Sequence, residues 1–390
     1  MAAGAPPLSP PDRMRGSRAA SDRRLRILHL LLRAGETSAP YNEHCLAFAS
    51  RHDIGVCTYF TPMLEVPAAV RVFGGDGSIR GFFRALRRAL ADGPYDVVHA
   101  HAPHVALGLL ASRWMPRSGP RAATLFSLHT SLPNVRSRNR LMMAPVLLAF
   151  DRIVCCSEAS LASLGPGFRR LAGDRITAIP NGVDLDRVDR ALRSAGAGAR
   201  PRHFALVSVG RLIALKRPGD VLEAFRALGS DTARLAFIGD GPLGPEMRKG
   251  CLHEGRVEFT GLIPRDAVYA RLAAADLFVS ASSVEGLPVA VLEAMACGVP
   301  VVLSDIEAHR EIVRGADFVP LVPPGDVGAL AREIARFQRA SGAERAAVGA
   351  KCRALVEERF GVATMGRSYE RIYRELARGS ERGEPPRSES

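Results

Sequence analysis

The chain has 390 residues, of which 47% are hydrophobic and 24% charged, and its formal net charge is +13. Its length suits two domains of about 150–200 residues each, and its apolar share excludes a disordered or fibrous protein. A basic chain raises nucleic acid or anionic lipid as a partner. Only three of its 53 basic residues are lysines, however, so the arginine bias is as typical of genome composition as of a basic surface.

The segment before the first predicted strand has the composition of a tail. Residues 1–24 contain almost nothing large and apolar, which predicts a disordered basic tail. The next apolar stretch, 25–32, is short and contains Arg26 and His29, so we expect a buried strand rather than a signal peptide. No run approaches the ~20 apolar residues of a membrane span. Seven scattered cysteines without zinc-site spacing predict reduced thiols in a cytoplasmic protein.

Short apolar strands alternate with helices along the rest of the chain, which is typical of parallel α/β sheets. In the first half we predict strands at 25–32, 54–60, 97–100, 122–129, 152–156 and 176–179. The small residues of 194–202 then predict a linker. The second half has predicted strands at 204–209, 234–238, 257–260, 276–281, 299–303 and 318–321, and helices at 217–228 and 288–297. We therefore expect two Rossmann-like domains, 25–193 and 203–358, facing a cleft.

Sheets of this kind bind ligands outside the carboxyl ends of their strands, and a basic motif stands at such a place. Gly210 and Arg211 follow the strand 204–209, and Lys216 closes the loop into the next helix. Arginine offers a forked donor and lysine a point charge, so the pair suits a diphosphate. The alternative is a solvated loop end, but lysine is scarce in this chain.

A glycine-rich loop follows the next strand. Gly239-Asp-Gly-Pro-Leu-Gly244 fits the G-x-G-x-x-G pattern of dinucleotide-binding loops. It lies on the second strand of its domain, and no acidic residue ends the following strand at the required distance. Gly239 and Gly241 therefore indicate a glycine turn beside a bound nucleotide rather than an NAD site.

Two glutamates flank the start of a later helix. Glu285 lies in the loop after strand 276–281, Pro288 stands where a helix begins, and Glu293 is the only charged residue of that apolar helix. A buried lone carboxylate is costly unless a specific group hydrogen-bonds to it. The helix N-terminus also offers free N–H groups for an anion. The alternative is two incidental glutamates near a helix start.

Three histidines follow strands of the first half. His129 ends a strand and is expected to face the cleft. His99 and His101 share a neighbouring strand end, and we expect only one of them to face the same side as His129. Packing and function remain open for His101. No metal site is predicted from these three, because no Cys or carboxylate joins them at ligand spacing.

Taken together, the motifs resemble retaining glycosyltransferases of family 4, which have the GT-B fold. The resemblance spans roughly 203–322 and more thinly the first half. Its residues are Gly210-Arg-Leu with Lys216, Gly239-Asp-Gly-Pro242, Phe259-Thr-Gly261, Ala275-Asp276, Glu285-x7-Glu293, Ala294-Met-Ala-Cys-Gly-Val-Pro-Val-Val302 and Glu311, with Asp96-Val-Val-His-Ala-His101, Ser127-Leu-His-Thr130, Ser157 and Ile179-Pro-Asn-Gly-Val-Asp184. It implies a helix at 359–378 that returns to the first domain, and we expect a disordered tail at 379–390.

The resemblance also implies roles for individual residues. Arg211 and Lys216 would hold the donor diphosphate, Glu293 the ribose hydroxyls and Glu285 the sugar. Backbone at Gly286, Leu287 and Pro288 would support sugar or phosphate oxygens, Gly261 and Leu262 would lie beside the base, His129 would lie near the reaction centre, and Gly35 would approach the phosphates. Relatives carry paired glycines in the first loop and glycines before Glu311, and this chain departs from both patterns.

The expected activity is metal-independent, retaining transfer of a hexose-type sugar from a nucleotide-diphosphate sugar to a hydroxyl acceptor, without a cofactor. A GT-B-like nucleotide-sugar epimerase and a non-catalytic nucleotide-sugar-binding protein remain alternatives. Nucleic acid is not expected as a partner, since no basic stripe with interleaved aromatics is found. Residues 82–90 and 136–150 combine arginines with apolar residues, which fits peripheral contact with an anionic membrane. A helix packed on its own sheet shows the same periodicity.

Overall fold

The computed structural model describes residues 23–35, 38, 40–63, 69–112, 122–135, 137–195 and 203–382. Most of the predicted N-terminal tail lies outside these ranges, as do residues 196–202 of the predicted linker and residues 383–390. Residues 379–382, predicted as tail, belong to the last helix.

The first half forms a parallel sheet of seven strands in the order β3-β2-β1-β4-β5-β6-β7. Helices cover both faces of such a sheet, so its central strands read as nearly continuous apolar runs. The strands are β1 Arg26–Leu31, β2 Asp53–Thr58, β3 Val70–Gly74, β4 Val97–Ala100, β5 Ala123–Leu128, β6 Arg152–Cys155 and β7 Ile176–Ala178.

Helices and a π-helical turn, Pro40–Leu46, connect these strands. The helices are α1 Ile79–Ala91, α2 Pro103–Ser112, α3 Ser137–Ala149, α4 Glu158–Ala162, α5 Pro166–Ala172 and α6 Leu185–Ala195. The core on one face of the sheet contains buried residues of α1, α2 and α3. The core on the other face contains residues of the π-helical turn and of the last helix of the chain.

The second half forms a parallel sheet of six strands in the order β10-β9-β8-β11-β12-β13. Its strands are β8 Phe204–Val209, β9 Ala233–Ile238, β10 Val257–Gly261, β11 Leu277–Ser280, β12 Val301–Ser304 and β13 Leu321–Val322. Its helices are α7 Pro218–Ala227, α8 Gly244–Gly250, α9 Arg265–Ala273, α10 Val289–Ala296, α11 Glu307–Ile312, α12 Val327–Arg339 and α13 Gly342–Arg359.

The last helix, α14 Val362–Arg382, crosses back to the first sheet. Its buried side chains Tyr369, Ile372 and Tyr373 join the apolar core formed with β1, β2, β4 and β5. A single bridge between Val183 and Gly361 marks the point where the chain returns. The first domain therefore contains both ends of the described chain.

The predicted strands match the observed ones closely, with two differences. Residues 70–74 form β3, which was not predicted because a short edge strand interrupted by Arg71 gives a weak apolar signal. The strand predicted at 318–321 is a two-residue strand at Leu321–Val322. Among the described helices, none is long and apolar enough to cross a membrane.

Candidate active site

The order of the second sheet creates a crevice between β8 and β11. The chain runs from β8 outward to β9 and β10 and then returns to β11 on the other side. Loops that leave neighbouring strands in opposite directions open a binding site at their carboxyl ends. Gly210 and Arg211 follow β8 there, and the loop with Glu285 follows β11.

A cavity of about 250 Å³ lies at the carboxyl ends of β8, β9 and β10, where α9 and α10 also line it. Its lining includes Gly210, Arg211, Gly239, Leu262 and Glu293. Five residues predicted from four separate parts of the sequence thus meet at one cavity, although they span more than 80 positions of the chain. Its walls are otherwise largely apolar and hold a few polar groups, as small-molecule sites do.

Glycine at 239 lets the loops after β8 and β9 touch. Gly239 has φ +126°, and a Cβ there would lie 2.2 Å from the carbonyl oxygen of Gly210. A Cβ at Gly241 would lie 2.5 Å from the carbonyl oxygen of Leu212. The glycine-rich loop therefore packs on the basic loop. This close approach leaves the backbone of both loops at the edge of the cavity.

Glu293 is buried with two donors. Its Oε1 accepts hydrogen bonds from Arg265 Nε at 2.7 Å and from the Tyr269 hydroxyl at 3.0 Å. Burial and the nearby Glu293 carboxylate raise the pKa of Tyr269, so it stays a donor. These contacts are the specific hydrogen bonds that a carboxylate in an apolar helix requires. Both partners come from α9, which packs beside α10.

Arg265 also reaches the first domain. Its Nη2 lies 2.6 Å from Oε1 of Glu43 in the π-helical turn. Burial raises the pKa of Glu43 to about 7 against the opposing charge of Arg265. Burial alone would lower the pKa of Arg265, but Glu293 and Glu43 outweigh it and raise that pKa. Arg265 thus couples the cavity of the second domain to a carboxyl group of the first.

Lys216 and Glu285 contact each other beside the cavity. The Lys216 ammonium donates to Glu285 Oε1, which also accepts from the Ser282 hydroxyl at 2.7 Å. The short helical turn carrying Lys216 ends at Arg217, whose φ of +47° is left-handed. In the described part of the chain, Arg211 is an exposed cation for which no ion pair is found.

Side chains of the first domain donate hydrogen bonds to the loop that carries Glu285. Ser157 Oγ donates to the carbonyl of Gly286 at 2.7 Å, and Asn181 Nδ2 donates to the carbonyl of Leu287 at 3.0 Å. The Ser131 hydroxyl donates to the Glu285 carbonyl. A Cβ at Gly286 would lie 2.8 Å from both Cys156 Sγ and Thr130 Cα. This loop is therefore fitted against the residues that follow His129.

Glu311 forms a third contact between the domains. Its two carboxylate oxygens accept from the backbone N–H groups of Glu158 and Ala159 at 3.0 and 2.8 Å. These groups open α4 of the first domain, where an acceptor satisfies otherwise free donors.

Other predicted residues lie at the ends of strands or at the start of a helix. Pro288 is the N-cap residue of α10, and Gly261 ends β10 with φ +68°. Gly35 follows β1 at the corresponding β1/β4 crevice of the first sheet.

The prediction that only one of His99 and His101 faces the side of His129 is wrong. Residues i and i+2 of a strand point to the same face, and the rings of His99 and His101 lie 3.9 Å apart between centroids. His101 Nδ1 is hydrogen-bonded to His129 Nε2 at 2.8 Å. His29, which the sequence analysis treated only as a strand residue, joins them from β1.

Nitrogens of His29, His99 and His101 lie within 4.8 Å of one another, a spacing that could hold a metal ion. His99, however, already uses Nδ1 toward the Tyr373 hydroxyl and Nε2 toward the Ser127 hydroxyl, each at 2.7 Å. Hydrogen bonds therefore account for the orientation of this ring. Neutral hydroxyl partners are weaker orienting groups for a metal ligand than the carboxylates or carbonyls that usually support one.

Several functional candidates were missed by the sequence analysis. Arg265, Tyr269 and Glu43 carry no motif, and their meeting depends on packing between α9, α10 and the π-helical turn. His309 is buried beside the Lys216–Glu285 pair, and burial lowers its pKa to about 4. The seven cysteines, predicted as thiols, are free in the structure.

The two segments considered for membrane contact differ in exposure. The apolar face of α1, including Phe82 and Leu86, is buried in the core of the first domain. This is the alternative in which an amphipathic helix packs on its own sheet. In α3, by contrast, Leu141 is 80% exposed and Leu148 57% exposed.

Comparisons with known proteins assign the family. The family model for Glycosyltransferase Family 4 matches residues 43–187, and that for Glycosyl transferases group 1 matches residues 203–339. Over 308 residues the chain is 31% identical to the 2-deoxystreptamine N-acetyl-D-glucosaminyltransferase of Streptomyces fradiae, covering 73% of this chain and 72% of that protein. The chain belongs to glycosyltransferase family 4.

Further relatives agree with this assignment. This glycosyltransferase is 29% identical over 266 residues to the phosphatidyl-myo-inositol mannosyltransferase of Mycobacterium leprae, covering 65% of the chain and 67% of that protein. Its structure is similar to sucrose-phosphate synthase from Thermosynechococcus elongatus, with a TM-score of 0.74 and 20% identity over 90% of this chain and 99% of that chain. The two parallel-sheet domains are those of the GT-B fold.

Proposed function

We propose that this glycosyltransferase transfers a hexose-type sugar from a nucleotide-diphosphate sugar to a hydroxyl acceptor with retention of anomeric configuration. The observation that carries the proposal is the cavity at the carboxyl end of β8, which both Arg211 and Glu293 line. In this proposal Arg211 binds the diphosphate and Glu293 binds the ribose hydroxyls. Glycine loops edge the cavity, which suits a ligand that approaches backbone closely.

Related proteins support a nucleotide-sugar donor. HepE of Anabaena has been determined in complex with UDP-glucose, and this chain superposes on it with a TM-score of 0.69 and 20% identity over 90% of this chain and 99% of that chain. A Mycobacterium tuberculosis relative, 35% identical over 42% of this chain and 43% of its own length, is a GDP-mannose-dependent mannosyltransferase.

In the proposed reaction the bond between the anomeric carbon and the diphosphate oxygen breaks, and negative charge develops on the diphosphate. Arg211, Lys216 and the N-terminal N–H groups of α10 would stabilise that charge, which is electrostatic catalysis. The acceptor hydroxyl bonds to the anomeric carbon from the face that the diphosphate leaves. Its proton passes to a phosphate oxygen, so atoms and charge balance without an added base.

The donor diphosphate would change the partners of Lys216. In the structure this ammonium donates to Glu285. A bound diphosphate provides a stronger anionic partner nearby, so Lys216 would turn toward it or bridge both groups. Glu285, still held by Ser282 at 2.7 Å, would then accept from sugar hydroxyls. We propose that these cations make a divalent metal unnecessary for leaving-group stabilisation.

The acceptor is proposed only by chemical class, as a hydroxyl of a glycan, a lipid-linked sugar or a small molecule in the cytoplasm. Peripheral contact with anionic lipid would use α3, where Arg140 precedes the exposed Leu141 and Leu148 lies two turns on. Such a surface should bind anionic vesicles and release them at high salt. Vesicle co-sedimentation of Leu141→Ser beside the parent protein tests this, and equal sedimentation of both would remove the proposed surface.

The test of the proposed function is a panel of UDP-, GDP-, ADP- and TDP-sugars incubated with acceptors, with the products followed by NMR. We expect transfer or slow hydrolysis of one donor, retained anomeric configuration, and undiminished turnover with EDTA. Epimerised donor without transfer would favour the epimerase, and binding without turnover would favour the non-catalytic alternative. An inverted anomer would contradict the retaining mechanism, and loss of turnover with EDTA would contradict metal independence.

A further inference from the structure

A chain of three hydrogen-bonded imidazoles runs through the first domain to the predicted site. His29 Nδ1 lies 2.9 Å from His101 Nε2, and His101 Nδ1 lies 2.8 Å from His129 Nε2. β1, β4 and β5 are adjacent parallel strands whose register places these rings on one face. His29 is fully buried, whereas part of His129 is exposed at the cleft.

The three rings are neutral over the physiological range. Burial lowers the pKa of His29 to about 3. Burial lowers the pKa of His129 to about 4 and holds the pKa of His101 well below its ordinary value. The groups facing them are uncharged too, namely His44 of the π-helical turn, His99 of β4, and Tyr369 and Tyr373 of α14. A neutral imidazole has one N–H donor and one acceptor nitrogen.

Because each ring is neutral, the position of the proton on His29 and the position of the proton on His129 depend on each other. If His101 donates from Nδ1 to His129, it must accept at Nε2 from His29. His129 then carries its proton on Nδ1, and Nε2 of His29 is a bare acceptor. In the opposite polarity, Nε2 of His29 carries a proton and Nδ1 of His129 is bare. Each polarity fixes the tautomer of all three rings.

The buried end distinguishes the two polarities. His29 Nε2 is buried without a hydrogen-bond partner. An orphaned buried N–H is rarer in proteins than an orphaned acceptor, so the bare acceptor is the cheaper choice at this atom. We propose that His101 is a positioning residue that fixes His129 as a neutral imidazole with its proton on Nδ1, the only ring nitrogen left for a ligand.

This inference rests on the proposed function and deepens it. At the reaction centre, His129 would donate a hydrogen bond from Nδ1 to an oxygen of the sugar or of the departing phosphate. It would not act as the base for the acceptor hydroxyl, because Nδ1 already carries a proton. Removal of the acceptor proton is then left to the phosphate oxygen. His29 and His101 would act on the reaction only through the proton position of His129.

The test reads proton positions directly. Histidine labelled with ¹⁵N in both ring nitrogens is introduced into the full chain, and His129 is assigned by comparison with His129→Gln. We expect the Nδ1 signal of a protonated nitrogen and the Nε2 signal of an acceptor at pH 7. In His101→Leu both tautomers of His129 should appear, and kcat should fall about tenfold, the cost of one lost hydrogen bond. Affinity for the nucleoside diphosphate should be unchanged.

Tyr373→Phe is the matched control, because it removes a hydrogen bond to His99 on the same buried face and leaves the three-ring chain intact. It should retain the His129 spectrum and kcat. If His101→Leu does not fold, His29→Leu breaks the chain from its other end with the same expected spectrum. A bare Nδ1 on His129 in the parent protein overturns the inference, and so does an unchanged His129 spectrum in His101→Leu or in His29→Leu.

A measurement of bound metal is a further test of the hydrogen-bonded chain. Because nitrogens of His29, His99 and His101 lie within 4.8 Å of one another, bound metal is measured in protein purified without chelator. A stoichiometric transition metal would overturn the hydrogen-bonded chain, and its absence with the expected spectrum supports it. Failure of every donor to react would overturn the proposed function, yet the ring spectra would still decide the proton positions.

Discussion

At the scale of single residues, the two glutamates of the Glu285-x7-Glu293 element have different partners. Glu285 contacts Lys216 and Ser282, whereas Glu293 contacts Arg265 and Tyr269. Each carboxylate thus has its own cation. Their effects on a bound donor should therefore be separable.

We expect Glu293→Gln to weaken nucleoside diphosphate binding about tenfold, because it loses a charged acceptor for ribose hydroxyls. Glu285→Gln should lower kcat about tenfold or more and leave nucleoside diphosphate binding nearly unchanged, because its proposed contact is to the sugar. Calorimetric titration gives the first quantity and donor turnover the second. Glu307→Gln, at an exposed position on α11, is the control. Equal loss of affinity in both variants would contradict the assigned roles.

Sequence reasoning reached the cavity-lining residues that lie in motifs and missed their partners. An isolated glutamate in an apolar helix predicts that some donor must reach it, but Arg265 is 28 positions earlier and belongs to another helix. His99 and His101 were misplaced because the two-residue period of a strand was not applied. His29 became visible as part of the site only when the register of β1 with β4 was known.

At the scale of elements, the contact between the loops after β8 and β9 depends on glycine. Gly239→Ala would place a Cβ 2.2 Å from the Gly210 carbonyl at a φ of +126°. We expect a loss of about 1–3 kcal/mol in the free energy of unfolding, because backbone must shift. Urea denaturation measures it. Gly250→Ala, at the end of α8 with nothing within 4 Å of its Cβ, should not destabilise, and equal stability of the two variants would refute this packing.

Strand positions were predictable because buried parallel strands are continuous apolar runs. A pattern of apolar positions predicts a strand or a helix, but it does not predict which loops come into contact. The edge strand β3 lies outside the predicted set because Arg71 interrupts it, and its pairing with β2 is what stabilises it. The loop of Gly286 is fitted to Cys156 and Thr130 of the other domain, a contact that no local pattern encodes.

At the scale of the whole molecule, buried histidines make stability depend on pH. The pKa of His29 is lowered to about 3, and burial holds the pKa of His44 well below its ordinary value. The unfolded chain protonates these rings near pH 6.5 while the folded chain does not, so stability falls as the pH decreases from about 6.5 toward 4. Glu43, with a pKa raised to about 7, and Glu311, whose pKa burial also raises, act in the opposite direction but are fewer than the buried histidines.

The corresponding variant is His44→Leu, which removes one buried titratable ring whose Nδ1 has no hydrogen-bond partner. The slope of unfolding free energy against pH, measured by urea denaturation between pH 6 and 5, should decrease by up to about 1.4 kcal/mol per pH unit. His253→Leu, at an exposed position, should retain the parent slope. A His44→Leu slope equal to the parent's would show that His44 titrates alike in both states.

Domain contacts link these effects to the site. The Arg265–Glu43 pair, the Glu311 carboxylate at α4 and the loop of Gly286 all join the two domains around the cavity. The cations proposed to hold a diphosphate lie on the second domain, while His129 belongs to the first. The proposed mechanism therefore requires that the donor diphosphate binds at Arg211 and Lys216.

The most direct test of that central claim is calorimetric titration of the protein with a nucleoside diphosphate and with the matching nucleoside. The donor base found in the panel determines which pair is used. We predict one diphosphate site per chain, weakened at least tenfold by Arg211→Ala and by Lys216→Ala, with nucleoside binding unchanged. Lys249→Ala and Arg332→Ala, exposed positions away from the cavity, should match the parent protein. Diphosphate affinity that survives both Arg211→Ala and Lys216→Ala would contradict the account.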